Sequence, residues 1–147
     1  MKKSLCAGVL LVVLFIGTGI SQSFVQNSEE RAKIEQAVPK TAPAKPAKAR
    51  RLLLFTLNVG YGGHPSAAYA NEAFSLIGRK TGAFETEVSE LPEVFRPESL
   101  RRFNAVFFNN TVGNCFTNAD LRKSLLDFVS GGGGLMGVHG TAVAFTQ

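Results

Sequence analysis

Tryptophan is absent from this 147-residue chain, and cysteine, histidine, tyrosine and methionine each occur twice. These shortages exclude several chemistries. Cys6 stands at the very start of a long apolar run, badly placed as a lipid acceptor, and cleavage after that run would remove it. Cys115 would then be alone, so no intrachain disulfide could form even in an oxidising compartment. Next to Phe116 it reads as a small core hydrophobe rather than a nucleophile. Two histidines with no evident third ligand fall short of the three protein ligands that a zinc site normally takes. No metal ligand is therefore assigned and the cofactor is unknown, with a divalent metal such as zinc the open alternative.

A surplus of one charge is also missing where a partner could use it. The formal net charge is +5, yet residues 51–147 hold eight Lys/Arg against eight Asp/Glu. The surplus lies at Lys2, at Lys3 and within residues 24–50. With no basic face on the folded part, nucleic acid is not expected as a partner.

Met1-Lys2-Lys3 followed by the apolar run Leu5–Ile20, then Ser21 and Ser23, reads as a secretory signal peptide over residues 1–23. The expected location is periplasmic or secreted. An uncleaved run would instead anchor the chain to the membrane, although it is shorter than the roughly 20 residues of a usual span. Residues 24–50 include three prolines and few large apolar side chains, so they read as a disordered linker with room for a short helix over Glu29–Ala37. Their basic excess suits a solvated tether, with weak attraction to anionic lipid as the alternative.

The folded part, residues 51–147, alternates strand and helix. Leu52–Leu57 is a near-continuous apolar run, as in a strand covered on both faces. A helix starts at Pro65-Ser66 and ends at Gly82, with Ala70, Ala73, Phe74 and Ile77 as its apolar stripe. Phe84–Val88 alternates as a second strand, and a short helix follows at Pro97–Phe103. Ala105–Phe108 is a third, buried strand. Thr117 and Asp120 suit the capping of a helix that runs to about Ser130. Gly131–Gly134 then lead into a fourth strand, Leu135–Val138, which reads as buried. These glycines precede a strand, so they are not a phosphate loop, which follows one. The order β-α-β-α-β-α-β implies an α/β fold, a parallel sheet with helices on both faces.

Polar clusters fall at the ends of three strands: Gly60–His64, Asn109-Asn110-Thr111 and His139-Gly140-Thr141. Ligands of open parallel sheets collect just beyond the carboxyl ends of the strands. In a flavodoxin-like order 2-1-3-4, strands one and four would lie about 10 Å apart with the asparagines between them. Both histidines of the chain would then meet at one edge. His139 could hold a site or simply bond a neighbouring carbonyl; His64 could be a ligand contact or a plain loop residue. Tyr61 offers a ring and a hydroxyl suited to sugar, and Asn110 could orient a hydroxyl-rich substrate.

The stretches LNVGYGGH, FNAVFFNNTVG and LLDFVSGGGGLMGVHGTAVAF resemble the trehalose-utilisation (ThuA-like) family over Arg51–Phe145. The resemblance implies a flavodoxin-like fold of the class I glutamine amidotransferase-like type and a carbohydrate ligand, a trehalose-like disaccharide or derivative. In the amidotransferases the turn after the corresponding strand carries a nucleophilic cysteine. His139 stands there instead, so glutaminase activity is not expected and His139 becomes the candidate catalytic acid/base. Tyr61, His64, Asn110, Thr111, Gly140 and Thr141 are the candidate substrate-binding residues. Members of the family continue further, so the sheet is expected to be incomplete on its C-terminal side. Three readings follow: a sugar-acting enzyme, a non-catalytic carbohydrate-binding module, or an inactive truncated fragment.

Overall fold

A computed structural model of the chain describes residues 24–145. Residues 1–23, read above as a signal peptide, lie outside the described residues. The elements are α1 (Ser28–Ala37), β1 (Arg51–Phe55), α2 (Ser66–Thr81), β2 (Glu85–Ser89), α3 (Pro97–Leu100), β3 (Ala105–Asn109), α4 (Ala119–Ser130) and β4 (Gly134–Val138). A 3₁₀ turn, Pro92–Phe95, precedes α3, and another, His139–Val143, follows β4 directly.

All strand pairings are parallel, and the sheet order is β2-β1-β3-β4, as in a flavodoxin-like fold. The carboxyl ends of β1, β3 and β4 are therefore neighbours. The central strands supply alternate residues to two cores. Leu53, Phe55, Val106 and Phe108 face α3, α4 and the Pro92–Phe95 turn, meeting Phe95, Leu100, Phe116, Leu121 and Leu125. Leu52, Leu54 and Phe107 face the other way, onto Phe74 of α2 and Phe84. The first core is dominated by phenylalanine. Phe55 packs edge-to-face on Phe95 at 4.8 Å and on Phe108 at 5.6 Å, the arrangement that the ring quadrupole prefers.

Two expectations need correction. β4 is not buried: Leu135, Met136 and Val138 are 49%, 45% and 44% exposed. The apolar run is real, but β4 is the edge strand, and among the described residues no further strand pairs with its outer side. The helix α4 is capped by Asn118 rather than Thr117. The Asn118 amide oxygen accepts from the backbone N–H groups of Asp120 (2.8 Å) and Leu121 (3.3 Å), which orphaned helical donors require.

The helix expected within residues 24–50 is present as α1, capped by Asn27. It has no buried residue of its own, and polar contacts dock it instead. Arg31 Nε lies 3.1 Å from Oε1 of Glu72 on α2, a carboxylate whose side chain is only 5% exposed. Tyr69 donates to Glu30, and Lys80 of α2 to the Glu35 carbonyl. Among the described residues, no helix is long and apolar enough to cross a membrane.

Candidate functional site

The three loops at the carboxyl edge are joined through their main chains. Val59 N–H donates to Val112 C=O at 3.0 Å, linking the loops after β1 and β3. Phe145 N–H donates to Gly113 C=O at 2.7 Å, linking the loops after β3 and β4. Gly113 has φ +76°, and a Cβ there would sit 2.4 Å from the Val59 carbonyl oxygen, so only glycine permits this close crossing.

Two working residues of this edge hold the left-handed backbone conformation: Asn110 (φ 57°) and His139 (φ 52°). Asparagine and histidine are among the few L-residues found there with any frequency. The conformation turns each chain sharply at the end of its strand and lifts both side chains toward one another. His139 Nδ1 lies 2.7 Å from Asn110 Oδ1, and the backbone N–H of Gly140 donates to the same oxygen at 3.1 Å. A peptide N–H can only donate, so its partner must be the amide oxygen, and the orientation of the Asn110 amide follows. Facing that oxygen, Nδ1 must carry a proton. In the neutral ring the lone pair is then on Nε2. Asn110 is 4% exposed, and its Nδ2 has no hydrogen-bond partner among the described residues.

His64 joins from the loop after β1. Its ring packs on that of His139 with centroids 5.0 Å apart and planes at 73°. The Tyr61 hydroxyl lies 3.2 Å from His64 Nε2, and Tyr61 itself is 45% exposed. The expected meeting of both histidines at one edge is thus present, with Tyr61 at its outer side. Gly140 is required by space: a Cβ there would lie 2.6 Å from Val112 Cγ2 and 2.8 Å from Asn110 Oδ1.

Thr111 and Thr141, also expected to meet substrate, turn inward. Thr111 is fully buried, 3.3 Å from the Thr141 hydroxyl, which donates to the Phe108 carbonyl at 2.8 Å. Both residues hold the turn that carries His139. Asn109 is a brace as well, donating to Ala67 C=O and Asn71 Oδ1 of α2 at 2.8 and 2.9 Å. Cys115 is buried with its thiol against the carbonyls of Leu57, Val112 and Gly113. Burial pushes this thiol above its ordinary value, opposed in part by a backbone hydrogen bond, which leaves it protonated and unreactive.

Among the described residues, no three His, Cys, Asp or Glu side chains converge on a point where they could hold a metal ion. Sequence reasoning passed over a neighbouring cleft of about 750 Å³ that borders His64. Its lining includes Asn58 and Glu90, beyond the ends of β1 and β2, and Glu30 of α1. Asn58 was legible as part of a strand-end loop. Glu30 was not, because nothing in a polar tether announces where it docks.

A family model described as ThuA, trehalose utilisation, matches residues 51–147. No curated protein and no solved structure matches the chain.

Proposed function

This chain belongs to the ThuA (trehalose utilisation) family, and we propose that it acts on a trehalose-like disaccharide or derivative at the carboxyl edge of its sheet, with His139 as general acid/base. The observation that carries this reading is the pair of bonds to Asn110 Oδ1, from Nδ1 of His139 and from Gly140 N–H. They hold one tautomer and leave Nε2 as the ring's basic atom. A base so oriented can take a proton from a sugar hydroxyl or from a water, and return it to a leaving oxygen. His64 and Tyr61 flank the ring and contribute polar contacts to the substrate. Asn110 acts through the imidazole and is a positioning residue. Gly140 allows the close approach, and Thr111 and Thr141 support the turn. Cys115 does not take part, and glutaminase chemistry is not expected.

Residues 1–23 act as an export signal on this reading, and the protein works in the periplasm or outside the cell. Sequencing the N-terminus of the native protein tests it: a start beyond the apolar run supports export, and an intact Met1 overturns cleavage.

The test of catalysis is turnover of trehalose and its derivatives by the native protein and by His139→Ala, with folding monitored by circular dichroism. Loss of turnover in a folded variant is expected; undiminished turnover would sink the assignment. A non-catalytic sugar-binding module is the second reading, and one observation favours it. The group facing Nδ1 is a neutral amide, whereas catalytic imidazoles that must become cationic are often backed by a carboxylate. Saturable heat of sugar binding with no product formed would select that reading.

A further inference from the structure

We propose that the amino pole of the sheet, opposite the edge that carries His139, is a docking surface for an anionic phospholipid bilayer. The inference goes beyond the carbohydrate reading and does not depend on it.

Residues 51–147 carry as many acids as bases, but the fold separates them. The helices α2 and α4 leave the carboxyl edge and return to the amino pole, as parallel crossovers require. A helix dipole favours acids where the helix starts and bases where it ends. Glu30, Glu90, Glu93, Glu98 and Asp120 accordingly gather on the carboxyl side, against Arg96 and Arg122. At the amino pole the bases dominate. Arg79 and Lys80 stand in the last turn of α2, Arg51 opens β1, and Arg101-Arg102 lead into β3. Arg51 and Arg102 share Glu87 at 3.1 Å, Arg79 lies 3.5 Å from Glu72, and Lys80 lies 3.9 Å from Glu35.

The segment ahead of β1 adds three more cations to this pole. Its course is fixed where it joins the sheet, by the Glu85 N–H donating to Arg50 C=O at 2.9 Å. Lys45, Lys48 and Arg50 border a hollow of about 620 Å³ at the end of α2, together with Arg79. The one carboxylate on its wall, Glu85, has a side chain 83% exposed and 3.9 Å from Arg51. Lys45, Lys48 and Arg50 belong to no helix, so no helix dipole accounts for them. With Arg101 they are exposed, and their side chains have no ion-pair or hydrogen-bond partner among the described residues. Cations gathered on one side repel one another and raise the local concentration of anions. These four are spread past the starts of β2, β1 and β3, which suits a charged plane better than one small anion. Nucleic acid is the poorer match, because single strands are held by exposed aromatic rings. The rings exposed here, Tyr61 and Tyr69, border the other edge. With the amino pole on a bilayer, the Asn110–His139 edge faces water.

The test is co-sedimentation of the native protein with vesicles of pure phosphatidylcholine and with vesicles of equal parts phosphatidylcholine and phosphatidylglycerol. The neutral vesicles report any binding through apolar segments. Preference for the anionic vesicles is expected, weakening as salt rises from about 0.01 M to about 0.15 M and the screening length falls from about 30 Å to about 8 Å. Each cation near the surface strengthens binding about fivefold, so the triple variant Lys45→Gln, Lys48→Gln, Arg50→Gln should lose about a hundredfold. Arg101→Gln should lose about fivefold. Arg96→Gln, on the opposite edge, should bind as the native chain does. All four positions are exposed, and circular dichroism checks that the fold is kept. Equal binding to the two kinds of vesicle, or a triple variant that binds like the native chain, overturns the proposal. So does a loss in Arg96→Gln as large as in the triple variant. Tighter binding of duplex DNA than of anionic vesicles at the same salt assigns the pole to nucleic acid instead. Release from the vesicles by inorganic phosphate, but not by chloride of equal ionic strength, assigns it to a free anion.

Discussion

Replacing Asn110 gives the sharpest test of how the edge is built. In Asn110→Ala, His139 Nδ1–H and Gly140 N–H both lose their acceptor. Each such bond contributes about 0.5–1.5 kcal/mol net, so the pair accounts for about 1–3 kcal/mol. Removing the unpartnered Nδ2 recovers part of this, of the order of 1 kcal/mol. The backbone works in the opposite direction, because alanine tolerates the φ of 57° less well than asparagine does, and the left-handed conformation costs an ordinary L-residue about 1–2 kcal/mol. The expected loss is about 2–3 kcal/mol. Asn110→Gly forfeits the same bonds without the backbone strain and should lie about 1 kcal/mol above the alanine variant. Urea denaturation gives both values. Nitrogen-15 spectra of His139 give the second readout: in the native chain Nδ1 bears the proton and Nε2 is bare, and in both variants the proton should distribute between the two. An alanine variant as stable as the native chain, or a native ring protonated on Nε2, refutes the reasoning.

Other predictions follow from the same geometry. Gly140→Ala forces a methyl group against Val112 and Asn110 and should destabilise by about 1–3 kcal/mol in the same assay. Phe95→Ala opens the centre of the aromatic core and should cost about 3–5 kcal/mol. Leu135→Ser, on the exposed edge strand, should change stability by no more than about 0.5 kcal/mol; a large loss would show that β4 is covered in solution. The raised Cys115 thiol means that the folded chain keeps its proton where the unfolded chain has lost it. Stability should therefore be level below the unfolded thiol value, about 8.5, and decline as pH rises beyond it. Cys115→Ala should lack that component of the decline, and denaturation midpoints across neutral to alkaline pH would check it.

Much of the frame was legible because strand burial leaves a direct mark on composition. Leu52–Phe55 and Ala105–Phe108 are continuous apolar runs that only a doubly covered strand requires, and both proved central. The same mark misled at β4, since Leu135, Met136 and Val138 look identical whether or not a layer covers them. The placement of His64 and His139 at one edge followed from topology alone. The division of labour among Asn109, Asn110 and Thr111 did not. Three adjacent polar residues differ in role only through backbone direction: Asn109 braces α2, Asn110 turns at φ 57° to His139, and Thr111 points inward to Thr141. Docking of α1 was illegible for a different reason. It depends on Arg31 meeting Glu72, a pairing between residues 41 positions apart with no local pattern to betray it.

The stitches between the loops are bonds of the main chain, from Val59 to Val112 and from Phe145 to Gly113. Such bonds are blind to the side chains around them. Exposed residues at the loop tips, Tyr61 among them, can therefore be exchanged while the loops stay in place, provided that glycine is kept at 113 and 140. The edge is in that sense a fixed mount with interchangeable fittings: drift or selection can change which ligand is recognised without rebuilding the frame that presents His139.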